Sequence, residues 1–213
     1  MPSKLFQKRK AEAERRAARS SARRSDLRRI LMVSEGSKTE PNYLAEFLRL
    51  EGLGQIDPYV TRDHNTGPMK LLSQAKQILR NDTDFDLAFV LSDRDNFADF
   101  EAALNAAEQI KSNPPIKFIY SDPCFEIWLI FHFEMCDAPI TSAEAVQRLR
   151  QHIPGYEKGS KEVARTVHSK TDEAIKNSLV ALARCKQTGT SCPSTLMHEL
   201  VLQLRGKPEH QGR

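Results

Sequence analysis

Apolar positions along this chain fall into short unbroken runs separated by helical stripes. Ile30-Leu31-Met32-Val33 is an unbroken run leading into Ser34, Glu35 and Gly36. Tyr43, Leu44, Phe47 and Leu48 follow at helical spacing. The pattern predicts a buried strand, a tight turn and a helix. Pro41 suits the first turn of that helix, where the N–H it lacks would have no partner. Gly36 lets the backbone turn sharply or a ligand approach closely. Pro58-Tyr59-Val60-Thr61 reads as a weak strand, and His64-Asn65-Thr66-Gly67 as a loop. Pro68 opens a helix whose buried stripe is Leu71, Leu72, Ala75, Ile78 and Leu79. Leu87-Ala88-Phe89-Val90-Leu91 is a second unbroken apolar strand, and it runs into Ser92-Asp93-Arg94-Asp95. Phe97, Phe100, Leu104 and Ala107 mark another helix, broken at Asn113-Pro114-Pro115 before a strand over 116–120. The order β-α-β-α-β-α-β predicts an α/β fold, with a parallel four-stranded sheet and helices on both faces.

Pro123-Cys124-Phe125-Glu126-Ile127-Trp128-Leu129-Ile130-Phe131 is apolar at nearly every position, so it predicts a helix buried on most sides. After Asp137-Ala138-Pro139 the character changes. Helices are expected over 142–151, around Ala174, Ile175, Leu179 and Leu182, and around Leu196, Leu200, Val201 and Leu204. Loops are expected over 155–160 and 188–191. The predicted organisation is a basic arm over 1–27, an α/β core over 28–138 and a helical extension packed on the core over 139–213.

Of the 213 residues, 28% are charged and 39% hydrophobic, which fits a globular chain rather than a membrane protein. No apolar run approaches the ~18 residues of a membrane span. The first residues carry no signal-peptide apolar core. A cytoplasmic protein is the expectation. Cys124, Cys136, Cys185 and Cys192 include no C-x-x-C pair, which suits a reducing compartment. Cys185, Cys192 and His198 have the wrong spacing for common zinc sites. The net charge of +4 hides an asymmetry: residues 1–29 hold eleven Lys and Arg against three acidic residues. The rest of the chain holds 21 Lys and Arg against 25 Asp and Glu. A basic arm on a slightly acidic body is a footprint of nucleic-acid binding. A frayed, solubilising tail would look the same.

The candidate chemistry lies at the strand ends. Open α/β sheets place ligands at the carboxyl ends of their strands. One apolar strand ends at Glu35 and another at Asp93 and Asp95. Residues i and i+2 point to the same side, so the two aspartates can aim at one point. Glu35 can reach that point if the two strands are neighbours. Convergent carboxylates suit Mg²⁺ or Mn²⁺, which take hard oxygen ligands. The candidate metal ligands are Glu35, Glu40, Asp93 and Asp95. Arg94, between the aspartates, is expected to point the other way, balance their charge and bind substrate. D-x-D can also be a solvated turn, with Asp95 capping the following helix. Glu126 is either a further site carboxylate or a structural group, paired with an arginine or capping backbone N–H groups. Lys38 and Lys158 could each stabilise charge on a phosphate, or simply be solvated. His132 reads as a residue at the edge of the core.

Strand–Glu-Gly–helix followed by strand–Asp-x-Asp resembles the Toprim fold of topoisomerases, primases and OLD-type nucleases. The stretches SEGSKTEPNYL, LSDRDNF and SDPCFEIWLIFHFE resemble more closely the RloB-like family, Toprim proteins of bacterial anti-phage defence and abortive infection. The resemblance extends through GYEK at 155–158 and CPSTLMHELV at 192–201, so it covers roughly residues 28–205. The family more often has Asn where this chain has Asp122 and Cys192. The first change would add a carboxylate near the site. The second removes an N-cap ahead of Pro193, worth about 1 kcal/mol.

The resemblance implies a defence role beside a partner ATPase of AAA or ABC type. Together with the strand-end carboxylates, it makes a metal-dependent nuclease the leading expectation. Glu35, Asp93, Asp95, Glu126 and Lys158 are its catalytic candidates, and Lys38 and Arg94 its substrate-binding ones. DNA and RNA, including tRNA, stay open as substrates, and self-association stays open. The alternatives are a non-catalytic nucleic-acid-binding or sensor module of the same fold, and a nucleotide phosphotransferase. For the latter, S-E-G-S-K-T lacks the first glycine of a phosphate-binding loop.

Overall fold

The computed structural model describes residues 28–36, 38–62, 67–94, 97–189 and 193–206. The basic arm and Asp95 lie outside the described residues, as do Ser37 and Cys192.

Five strands form one sheet: β1 (Arg28–Ser34), β2 (Ile56–Arg62), β3 (Leu87–Asp93), β4 (Ile116–Asp122) and β5 (Ser194–Thr195). Their order is β2-β1-β3-β4-β5. The first four run parallel, and β5 pairs antiparallel with the end of β4, Thr195 opposite Ser121 and Ser194 opposite Asp122. The sheet is therefore mixed and five-stranded, a correction to the purely parallel four-stranded sheet expected above. Two residues of Ser and Thr carry no apolar run or alternation, so nothing in the sequence pattern marks β5.

Alternation of side chains divides the core into two. Leu31 and Val33 of β1, Ala88 and Val90 of β3 and Ile116 and Phe118 of β4 face one side. There they meet Leu71, Leu72, Ala75 and Leu79 of α2 (Pro68–Asn81) and Phe100, Ala103 and Ala107 of α3 (Phe100–Gln109). Ile30, Met32, Phe89, Leu91 and Ile119 face the other side. That side holds Tyr43, Leu44, Phe47 and Leu48 of α1 (Thr39–Leu50) and Ile127 to Phe131 of α4 (Glu126–Phe131). In α4 all six residues are buried, Trp128 completely. Each buried large apolar side chain contributes roughly 1.5–3 kcal/mol.

The C-terminal third joins the second of these cores. It comprises α5 (Ser142–His152), α6 (Val163–Val167), a 3₁₀ turn (His168–Lys170), α7 (Thr171–Thr188) and α8 (Met197–Leu204). Leu149, Val163, Val167, Ala174, Met197 and Leu200 belong to the same apolar cluster as Tyr43 and Trp128. Thr141 and Glu144 start α5 with a capping box. Arg205, just past α8, donates to both oxygens of Glu51, which also meets His168 Nε2 at 2.9 Å. The short α6 has five residues, too few for a helical stripe to show in sequence. Among the described residues no helix is long and apolar enough to cross a membrane.

Candidate functional site

The strand order makes the site. β1 and β3 are central neighbours. The chain leaving β1 passes to α1 on one face, and the chain leaving β3 passes to α3 on the other. The two exits diverge, and a crevice opens between the carboxyl ends of β1 and β3, the switch point where open α/β sheets bind ligands. Glu35 sits at one lip and Asp93 at the other. The Glu35 N–H donates to Leu91 O at 3.3 Å. Ser92 Oγ, next to Asp93, reaches Glu35 Oε2 at 3.5 Å. Both acidic residues are part-buried.

Glu40 lies in the first turn of α1 and is buried. Its carboxylate folds back over Gly36, so a Cβ at Gly36 would fall on the Glu40 oxygens. That is the specific requirement for glycine at this turn. Burial pushes the Glu40 carboxyl above the ordinary range; its own backbone N–H opposes this, Glu126 adds to the rise, and Lys158 opposes it.

Glu126 opens α4 and is 1% exposed. Its side-chain partners are a tyrosine and a lysine, not the arginine that a purely structural pairing would have used. Tyr156 donates its hydroxyl to Glu126 Oε1 at 3.0 Å, and Lys158 Nζ lies 3.5 Å from the same oxygen. Burial lowers the affinity of Lys158 for its proton, but the carboxylates of Glu126 and Asp93 outweigh that and raise it, so the ammonium persists. Burial, with Glu126 and Asp93, pushes the Cys124 thiol far up, so it is not a thiolate. Burial and Glu126 likewise push the Tyr156 phenol far up and keep it a donor. Glu40, Asp93, Cys124, Glu126, Tyr156 and Lys158 thus form one electrostatically linked cluster beside the crevice.

The other candidates are placed as follows. Lys38 is exposed at the start of α1, with its Cβ stem packed under the 155–160 turn at Gly159. Arg94 is committed within the protein, donating to Asp122 at 3.1 Å and Glu101 at 2.6 Å, with its guanidinium over the Phe100 ring. Asp122, buried at the end of β4, faces Arg94. His132 is buried and bonds Trp128 O through Nδ1. The helix expected to be capped by Asp95, which lies outside the described residues, starts at Phe100, and the residue before it, Asp99, accepts from Met69 N at the start of α2 at 3.3 Å.

The donor set is carboxylate oxygen, with the one nearby sulfur protonated, which suits a hard cation rather than zinc. Among the described residues no three His, Cys, Asp or Glu side chains are gathered into a single ligand cluster. Mg²⁺ needs only one or two carboxylates, its shell being completed by water and phosphate. Glu35 and Asp93 can supply those. Sequence reasoning gave Tyr156 and Cys124 no role. Tyr156, flanked by glycines at 155 and 159, was the available signal.

No curated protein matches this chain. A family model described as RloB-like protein does, over residues 30–204. The match begins inside β1 and ends with α8, spanning both lips of the crevice, the Glu126 helix and the turn that carries Tyr156 and Lys158. On that extent the chain belongs to the RloB-like family.

Proposed function

We propose that this chain is a metal-dependent phosphodiesterase of the Toprim type, acting on nucleic acid. The observation that supports the reading is that Glu35 and Asp93 stand at the carboxyl ends of neighbouring strands whose chain exits diverge. Glu35 and Asp93, with Glu40 and Asp95 as further candidates, would hold Mg²⁺ or Mn²⁺. When bound, such an ion supplies Lewis-acid charge at the phosphate and makes a bound water more acidic. The Lys158 ammonium is set beside the acidic cluster, where it can take up charge on a phosphate oxygen. Glu126, held by its two donors, can orient water. Lys38, exposed at the start of α1, would meet a neighbouring phosphate. Arg94 holds Asp122 and Glu101, so its contribution is to brace the end of β4 rather than to bind substrate. The defence role, the AAA- or ABC-type ATPase partner and the cytoplasmic setting are drawn from the family resemblance and the sequence composition.

The test is incubation of the full chain with supercoiled plasmid, single-stranded DNA and total tRNA, each with Mg²⁺, Mn²⁺ or EDTA. Cleavage of at least one substrate with metal, abolished by EDTA, is expected. No cleavage under any condition would favour a second reading, a nucleic-acid-binding module without catalysis. That reading has one observation of its own: no three metal-ligating side chains cluster among the described residues.

A further inference from the structure

We infer that Tyr156 is the positioning residue of this site, its hydroxyl fixing the carboxylate of Glu126 for the water-orienting role; the inference rests on the nuclease reading above. The two groups are 30 positions apart in sequence, on the 155–160 turn and at the start of α4. Both are almost fully buried, Tyr156 at 2% and Glu126 at 1% exposure. A buried carboxylate needs donors, and a hydrogen bond to a charged acceptor is stronger and more directional than a neutral one. Lys158 supplies charge to Oε1 but is flexible and more than half exposed at its side chain. Tyr156 is rigid and supplies direction. Held at Oε1 by both, Glu126 keeps Oε2 as the oxygen that neither of them engages.

The turn that presents Tyr156 is itself anchored at both ends. Tyr156 N donates to Ile153 O at 3.0 Å, and Arg150 Nε donates to Tyr156 O at 3.2 Å. At the far end Asn42 Nδ2 donates to Gly159 O at 2.7 Å. Gly159 has φ +83, and a Cβ there would lie 2.7 Å from Lys38 Cβ, so the turn can close on α1 only with glycine. The anchoring ties the turn to α1, whose first turn carries Glu40 and whose entry carries Glu35. Tyr156 thereby links the Glu126 carboxylate to the helix that follows the metal-side residues.

The experiment is a double-mutant cycle on the full chain, read as kcat and KM for the substrate cleaved best, with thermal melting as the control for folding. Tyr156→Phe keeps the buried ring and removes only the donor. It is expected to lower kcat about ten- to hundred-fold, as outer supporting contacts typically do, with KM unchanged. In a Glu126→Asp background, where the carboxylate is withdrawn by one methylene from the hydroxyl, the same change should alter kcat less than about two-fold. Wild-type kcat in Tyr156→Phe overturns the inference, and so do equal losses in both backgrounds. A crystal structure of Tyr156→Phe is the readout that does not depend on rate: a rotated Glu126 carboxylate supports the inference, and an unmoved one overturns it. Failure of the nuclease reading is recognised separately, because then the wild-type protein itself cleaves nothing and the proposed role falls with it.

Discussion

The positions of Glu35 and Asp93 at the carboxyl ends of their strands could be read from sequence, because each follows closely on an unbroken apolar run. Glu126 was legible only as an acid in an apolar helix. Its partners were not, because Tyr156 and Lys158 arrive on a distant turn. His132 shows the same limit. It is buried against Trp128 and Tyr43 rather than at the edge of the core, with its ring edge-on to both. Burial lowers its imidazole from 6.5 to about 4; the carbonyls of Trp128 and Leu129 oppose this, and nearby Lys170 and His168 add to it. The folded state thus refuses a proton that the unfolded chain accepts. Stability contributed by the neutral ring is present above pH 6.5 and is lost as pH falls toward about 4. At pH 5 the loss is about 2 kcal/mol relative to pH 8. Urea denaturation at both pH values should show that His132→Asn shrinks the difference between them by about that amount. An unchanged difference would place the acid sensitivity elsewhere.

The four parallel strands and the helices that alternate with them follow from periodicity, so their existence and order were legible. β5 was not, since its stability comes from hydroxyl pairing rather than apolar burial. Thr195 Oγ1 pairs with Ser121 Oγ at 2.8 Å, reaches Tyr120 O at 3.2 Å and accepts from Met197 N at 3.2 Å. Ser178 Oγ donates to Thr195 O at 2.7 Å and lies 2.8 Å from His198 Nδ1. These bonds seat α7 and α8 on the end of β4, next to the strand end that Arg94 braces. Thr195→Val keeps the shape and strands several buried polar groups. It is expected to cost about 1–3 kcal/mol in denaturation. A loss below about 0.5 kcal/mol would mean that apolar packing of α8 alone holds the strand.

The first described residue, Arg28, begins β1 at the end of the sheet opposite the crevice, since Glu35 follows the last residue of the same strand. The basic arm therefore joins the body about 20 Å from the acidic cluster, the length of a seven-residue strand. If the arm grips phosphate, it adds to nucleic-acid affinity. Removing residues 1–27 should then weaken nucleic-acid affinity and flatten its salt dependence while leaving the melting temperature unchanged. Equal affinity and slope in the truncated protein would reduce the arm to a solubility tail. The account as a whole stands on the separation of binding from metal chemistry. On the proposed function, binding would draw on Lys and Arg spread over the chain, and cleavage on a few carboxylates at one crevice. The most direct measurement compares Asp93→Asn with wild type for both properties, in the same buffer with Mg²⁺ or Mn²⁺. Cleavage should fall at least about a hundred-fold while affinity for the same nucleic acid holds or rises, as one negative charge leaves the phosphate's path. Cleavage at the wild-type rate in Asp93→Asn would contradict the account.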